Sequence, residues 1–331
     1  MFAIIEKNVL IRSKTVLIPA IVILFILLIG GGIVAMLIKT LPIAKRVYQQ
    51  QLVRTSPDKW GRVCSAPDNE EQMEMWNMGN AWADEHRDYI KEVQIENEGM
   101  KLFGEYFDQG ARRSVVILPG RCECLRYSYF YAKPYFDAGM NVLVIDTRAH
   151  GKSGGTHNTI GVAESRDLNV WIRYICREFK QEEVYLHGIC IGTSSAMLAM
   201  TAKDAPVQIK GLVADGCFVS FRETFKRHMI ADKRPLFPVL DLVMHHIYKH
   251  TGTNVNAIAP IKLVKKINQR VLFLFGEKDI FSVPEMSRKL FAACASNDKH
   301  IAWFPKGGHS HIRLNNIDLY DNAVKAFVEH E

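Results

Sequence analysis

The chain has 331 residues, 48% of them hydrophobic. That is enough for one large core and too little for a string of independent domains, and no low-complexity tract or solenoid-period repeat interrupts it. The formal charge of +7 gathers at one end: Lys7, Arg12 and Lys14 precede an apolar stretch, and Lys39, Lys45, Arg46 and Arg54 follow it with no acidic residue among them. Beside a membrane each such residue contributes roughly 1 kcal/mol near anionic lipid. Nothing clusters as a nucleic-acid groove requires, so no nucleic-acid partner is expected. Seven cysteines (Cys64, Cys122, Cys124, Cys176, Cys190, Cys217 and Cys294) are odd in number and widely spread. They exclude a disulfide framework and favour a reducing compartment.

In chain order, a flank of residues 1–14 leads into residues 15–38, which hold no charged residue. As a helix this stretch would span roughly 36 Å, more than the roughly 30 Å hydrocarbon core of a bilayer. Pro19 and Gly30-Gly31-Gly32 are tolerated in membrane helices. A cleaved signal peptide and a buried core helix are the competing readings. The run is long for the first, and no small-x-small site follows Met36. The expectation is a single-pass anchor. Basic residues on both flanks leave the side of the catalytic part open.

Residues 39–66 read as a basic juxtamembrane linker, and 68–87 as an amphipathic helix with Met73, Trp76, Asn80 and Trp82 near one side. Residues 39–90 are thus linker and helix, and 91–331 form the main domain. Residues 91–97 and 101–108 alternate as an antiparallel pair around Glu98-Gly99. Short apolar runs follow at 114–118, 141–145, 184–186, 211–214, 271–275 and 300–304, separated by helical stretches at 126–138, 162–180, 192–203, 284–295 and 316–329. Such alternation predicts an α/β fold, a mostly parallel sheet covered on both faces with sites at the strands' carboxyl ends. Residues 217–262, rich in Phe, Arg and Lys, break this rhythm. A lid over the site and a surface helical excursion are both open readings.

Within VYLHGICIGTSSAML, a predicted strand meets a predicted helix through Gly188-Ile-Cys190-Ile-Gly192. Flanking glycines permit a strained turn that lifts the middle side chain above the sheet. The following helix points its amide end at Cys190, which favours thiolate, and the amide of Ile191 becomes an oxyanion donor. A nucleophile needs a base, and the base an orienting acid. Asp279 directly follows the run 271–275, and His309 follows 300–304 behind Gly307-Gly308. His311 and Asp215 are the alternatives for base and acid. Cys122-Glu-Cys124 has no second ligand pair at zinc spacing, and the histidines at 245, 246 and 250 read as polar helix residues. No metal and no cofactor is expected.

Residues 91–329 resemble the α/β-hydrolase superfamily, and most closely its monoacylglycerol-lipase and serine-aminopeptidase-like branch. The resemblance rests on Leu118-Pro119-Gly120, on Asp146-Thr-Arg148-Ala-His150-Gly151-Lys-Ser153-Gly154-Gly155, on the turn at Cys190, on Gly276-Glu-Lys-Asp279, and on Gly308-His309. It implies the chain order nucleophile, acid, histidine, filled here by Cys190, Asp279 and His309. The Asp146 motif is mainly architectural, and no phosphate loop, because the earlier glycine of one falls on Asp146. Two departures stand out. Pro119-Gly120 replaces the usual His-Gly of the oxyanion loop, placing the second donor at the amide of Arg121 or Cys122. Cysteine replaces serine, as in dienelactone hydrolases and polyhydroxyalkanoate synthases. The expected chemistry is cleavage of an ester, thioester or amide through a thioester acyl-enzyme. Acyl transfer and an inactive membrane-tethered interaction module are the alternatives. A small-molecule or lipid-like acyl substrate is the expected partner, and the sequence carries no signal for oligomeric state.

Overall fold

The computed structural model describes residues 2–329, with side chains from Ile21 onward; the basic residues at 7, 12 and 14 therefore lie outside the described side chains. Helix α1 (Phe2–Leu52) is continuous. Its portion from Ile21 reaches a mean hydropathy of 3.1 with none of that window buried, so it is long and apolar enough to cross a membrane. The linker expected at 39–66 is half helix. Ala44, Val47, Tyr48 and Leu52 are buried at helical spacing, so the last turns of α1 gain an apolar face and stay helical. Lys59 ends the helix by donating from Nζ to the carbonyls of Gln49 (2.8 Å) and Val53 (2.5 Å).

Residues 53–62 then clamp the chain to the domain. Arg54 donates to the carbonyls of Gly151 (3.0 Å) and Ser153 (3.3 Å), Trp60 stacks on His150 at 4.7 Å, and Arg62 pairs with Asp146 and Glu105 at 2.9 and 2.8 Å. Helix α2 (Glu70–Glu85) matches the expected amphipathic helix, with a different face. Gln72, Met75, Gly79, Trp82 and Ala83 are buried, while Met73, Trp76 and Asn80 are only half-buried. The close approach of Gly79 to the Phe130 backbone sets that rotation, since a Cβ there would lie 2.7 Å from the Phe130 amide nitrogen.

An eight-stranded sheet follows: β1 (Ile90–Asn97), β2 (Met100–Phe107), β3 (Arg113–Leu118), β4 (Asn141–Ile145), β5 (Glu183–Ile189), β6 (Ile209–Asp215), β7 (Arg270–Gly276) and β8 (Lys299–Phe304). Its spatial order is β1-β2-β4-β3-β5-β6-β7-β8, parallel from β4 to β8, with β1 and β2 antiparallel. The predicted runs of β3 to β7 are buried on both faces, whereas the edge strands β1 and β8 are only partly buried. Helices α3 (Val162–Glu178), α4 (Ile191–Met200), α7 (Pro284–Ala293) and α8 (Ile317–Glu329) cover the sheet. The expected helix at 126–138 is broken into Leu125–Ser128, a 3-10 turn at Tyr129–Tyr131, and Lys133–Asp137, with Pro134 at the start of the last piece. Residues 217–262 contribute α5 (Phe221–Ala231) and α6 (Val239–Thr251).

Gly79→Ala is expected to cost about 1–3 kcal/mol by overpacking, read as a lowered thermal midpoint of the detergent-solubilised chain. Gly31→Ala, which meets nothing within 4 Å, lowers it not at all.

Candidate active site

The turn between β5 and α4 carries Cys190 at φ 51°, ψ −109°, a strained conformation for a residue with a Cβ. Bonds on both sides hold it: Cys190 N donates to Asp215 O (2.9 Å), Thr193 N to Cys190 O (3.2 Å), and Thr193 Oγ1 to Gly188 O (2.7 Å). The glycines are sterically required. A Cβ on Gly188 would sit 2.4 Å from Thr193 N, and one on Gly192 would sit 2.4 Å from Leu118 O. Helix α4 is therefore pressed onto β3 and β5, and the half-buried Cys190 stands at its amide end.

The loop after β7 holds Asp279 and the loop after β8 holds His309. Asp279 Oδ1 accepts from the amides of Phe281 (2.7 Å) and Ser282 (2.8 Å), and Oδ2 lies 2.7 Å from His309 Nδ1. Burial pushes the Asp279 carboxyl up, but the charge and hydrogen bond of His309, with the two amides, outweigh it and hold the acid below its ordinary range. Burial likewise pushes the His309 imidazole down, while electrostatic and hydrogen-bonding interactions with Cys190 and Asp279 raise it well above its ordinary value. The other ring nitrogen, Nε2, is buried without a hydrogen-bond partner among the described residues. The ring rests on Gly216, whose missing Cβ would lie 3.3 Å from His309 Cε1, and meets Phe281 edge-on at 5.5 Å.

The two alternatives expected from the sequence have other partners. His311 Nδ1 faces Glu71 at 3.0 Å and its Nε2 faces Gln72 at 2.8 Å. Asp215, fully buried, accepts from Tyr320 OH at 2.6 Å. Behind Tyr320 a polar chain continues through His187 Nε2 (3.2 Å) to Tyr135 OH on His187 Nδ1 (3.0 Å).

Ile191 opens α4, and Arg121 lies in the loop after β3. Neither amide donates to an acceptor among the described residues. The Arg121 guanidinium reaches back to Gln51 at the end of α1. Cys190 also borders an apolar cluster built from Ala44, Val47, Tyr48 and Leu52 of α1 and from Phe221, Phe225, Met229, Val239, Leu240, Val243 and Ile247 of α5 and α6. The end of the N-terminal helix and the 217–262 excursion thus form one wall above the thiol.

Four residues near this centre escaped the sequence reading: Gly216, His228, Gln72 and Glu123. His228 of α5 stacks on Phe281 at 3.8 Å, and burial, with the charges of Arg121 and His309, lowers it to about 3, so it is neutral. Glu123 accepts from Gly120 N at 2.8 Å and from Gln72 Nε2 at 3.2 Å. It sits inside Cys122-Glu-Cys124, where the cysteines drew attention and the carboxylate did not.

A family model described as alpha/beta hydrolase fold matches residues 113–232, from β3 through the Cys190 turn into α5. An esterase of Pyrococcus furiosus superposes with a TM-score of 0.62 at 22% identity, covering 75% of this chain and 93% of the esterase. The chain has the α/β-hydrolase fold. An esterase of Exiguobacterium antarcticum shares this hydrolase fold at a TM-score of 0.55 and 15% identity, over 72% of this chain and all of that one. By sequence, the chain is 25% identical to the uncharacterized Bacillus subtilis protein YqkD over 65% of this chain and 71% of the relative. It is 27% identical to protein bem46 of Schizosaccharomyces pombe over 60% of each chain. An uncharacterized membrane protein of Saccharomyces cerevisiae matches at 25% over 59% of this chain and 62% of its own length. The chain thus spans less than two thirds of either yeast relative. In this fold the Asp146 motif is architectural, as expected. The Asp146 carboxylate accepts from Leu125 N (2.8 Å), Lys152 N (2.9 Å) and Arg62 Nε (2.9 Å), leaving room only for glycine at 151.

Burial raises the Asp215 carboxyl to about 7, against the Tyr320 hydrogen bond and the His309 charge that lower it. The folded chain then keeps a proton that the unfolded chain releases near its ordinary value of 3.8, so this group's contribution to stability falls as pH rises from there towards 7. Asp215→Asn removes that titration. Its thermal midpoint relative to wild type should climb between about pH 4 and pH 7, and a pH-independent difference contradicts the assignment.

Proposed function

We propose that this hydrolase is anchored to a membrane by α1 and cleaves an ester, thioester or amide through Cys190, His309 and Asp279. The observation that carries the reading is the orientation of His309. Its Nδ1 lies 2.7 Å from Asp279 Oδ2, which leaves the buried Nε2 for the neighbouring Cys190, whose interaction with the ring helps to raise it.

Cys190 attacks the carbonyl carbon as thiolate. The oxygen becomes an oxyanion, met by the amides of Ile191 and Arg121 in a site where fixed dipoles need no reorganisation. The imidazolium of His309 gives its Nε2 proton to the leaving group as the tetrahedral intermediate collapses to a thioester. His309, now neutral, takes a proton from water as the water attacks the thioester, and returns it to Cys190 sulfur as the acid departs. Asp279 holds the ring in the tautomer that keeps Nε2 towards the thiol. Every atom of the cycle comes from the substrate, water and these side chains.

A lipid-like or acylated substrate is favoured by the wall above Cys190, because an apolar cluster that includes the end of α1 suits an alkyl chain. Residues 217–262 act as a lid in this reading. The named esterase neighbours and the membrane-protein relative support hydrolysis at a membrane.

Cys190→Ala and His309→Gln should each lower turnover of short p-nitrophenyl esters and thioesters by about 10³-fold or more. Iodoacetamide should alkylate Cys190 at pH 6 about tenfold faster in wild type than in His309→Gln, because the imidazolium stabilises the thiolate. Turnover in Cys190→Ala at the wild-type rate removes the proposal. Addition of alcohol or amine acceptors distinguishes hydrolysis from acyl transfer by the appearance of a new acylated product.

A further inference from the structure

The loop after β3 is a tight turn. Cys122 takes φ +70°, and Glu123 N donates to Gly120 O at 3.4 Å. The Glu123 carboxylate folds back over the same turn and accepts from Gly120 N at 2.8 Å. The Gly120 carbonyl and the Arg121 N–H belong to one planar trans peptide and point in opposite directions. Whatever fixes Gly120 O therefore fixes Arg121 N–H. Glu123 does so twice, through its own amide and through the amide on the other side of Gly120. A Cβ on Gly120 would lie 2.8 Å from Glu123 Oε2, so a side chain at 120 would displace the carboxylate from the turn.

The second carboxylate oxygen is held from outside the sheet domain. Asn69 caps α2 by accepting from Gln72 N at 2.9 Å, which makes Gln72 the third residue of the helix. In a capping box that side chain would return to the N-cap amide. Here Asn69 N donates to Ala66 O instead (3.1 Å), and Gln72 reaches away from the helix. Its Nε2 donates to Glu123 Oε1 at 3.2 Å and its Oε1 lies 2.8 Å from His311 Nε2. His311 is steadied in turn by Glu71 at 3.0 Å. One chain of polar contacts thus runs from His311, two residues along from His309, through Gln72 of α2 to the loop that carries the Arg121 amide.

We propose that Glu123 is a positioning residue that sets the Arg121 amide for the oxyanion, and that α2, through Gln72, holds Glu123 in place. The inference rests on Cys190 being the nucleophile. It makes the segment ahead of the sheet domain part of the catalytic centre.

The test separates reactions that form an oxyanion from one that does not. Ester acylation of Cys190 needs the oxyanion donors, whereas alkylation by iodoacetamide displaces iodide with no oxyanion. In the detergent-solubilised full chain, Glu123→Ala should lower kcat for a short p-nitrophenyl ester about tenfold or more, with KM within about threefold and the Cys190 alkylation rate within about twofold. Glu123→Gln should also be slow, because its amide nitrogen would face the donor nitrogen of Gln72. The double variant Gln72→Glu with Glu123→Gln exchanges donor for acceptor and should recover most of the lost kcat. The proposal is overturned if Glu123→Ala keeps wild-type kcat, if alkylation falls in parallel with turnover, or if the double variant is no faster than Glu123→Gln. Cys190→Ala is run beside them. Wild-type turnover in that variant removes the nucleophile and this inference together. A dead Cys190→Ala with a fully active Glu123→Ala removes this inference alone.

Discussion

Placing a side chain with a Cβ at φ 51° requires backbone on both sides that leaves the turn no other shape. In this chain the constraint is the contact of α4 with the sheet, close enough that Gly188 and Gly192 admit no methyl group. Strain of this kind costs of order 1–3 kcal/mol and persists only where its surroundings over-determine it. The dense packing of β3, β5 and β6 supplies that: the Cys190 amide is held by Asp215 O, and the Thr193 hydroxyl by Gly188 O. The next residues of β6 then carry the effect across the site, for Gly216 is the floor on which the His309 ring lies. The thiol stands at the end of β5, and the imidazole, carried by the loop after β8, rests on the residue that follows the neighbouring β6, so one sheet positions both.

The N-terminal half of the molecule is joined to this centre more closely than an anchor and tether would be. Helix α1 runs without a break to Leu52, and its last turns share an apolar cluster with α5, α6 and Cys190. Arg54, Trp60 and Arg62 fasten the following segment to the loop between β4 and α3. Burying the apolar face of 44–52 removes the freedom a linker would have, so any lipid-facing role of α1 is transmitted to a fixed wall of the site.

Much of this was legible in the residues. The strand runs, the antiparallel pair around Glu98-Gly99 and the Cys190 turn could be read from β-branched periodicity and glycine spacing, because each depends on local chemistry. Asp279 and His309 could be placed because each follows a strand. The extension of α1 could not, since KTLPIAKRVYQQQL is basic and carries Pro42, and only its long-range partners in α6 make it helix. The face of α2 was misplaced by about one position for a similar reason: Gly79 against Phe130 is a tertiary contact with no local signature. Gln72 and Glu123 were missed because neither residue type nor spacing marks a carboxylate that folds back on its own turn.

The account depends on a thioester forming at Cys190, and mass spectrometry of an acid-quenched reaction observes it directly. With a p-nitrophenyl ester of medium chain length, the wild-type chain should gain one acyl mass, located on the peptide containing Cys190 and removed by neutral hydroxylamine. Product release with no adduct at Cys190, or an adduct on a different residue, would contradict it.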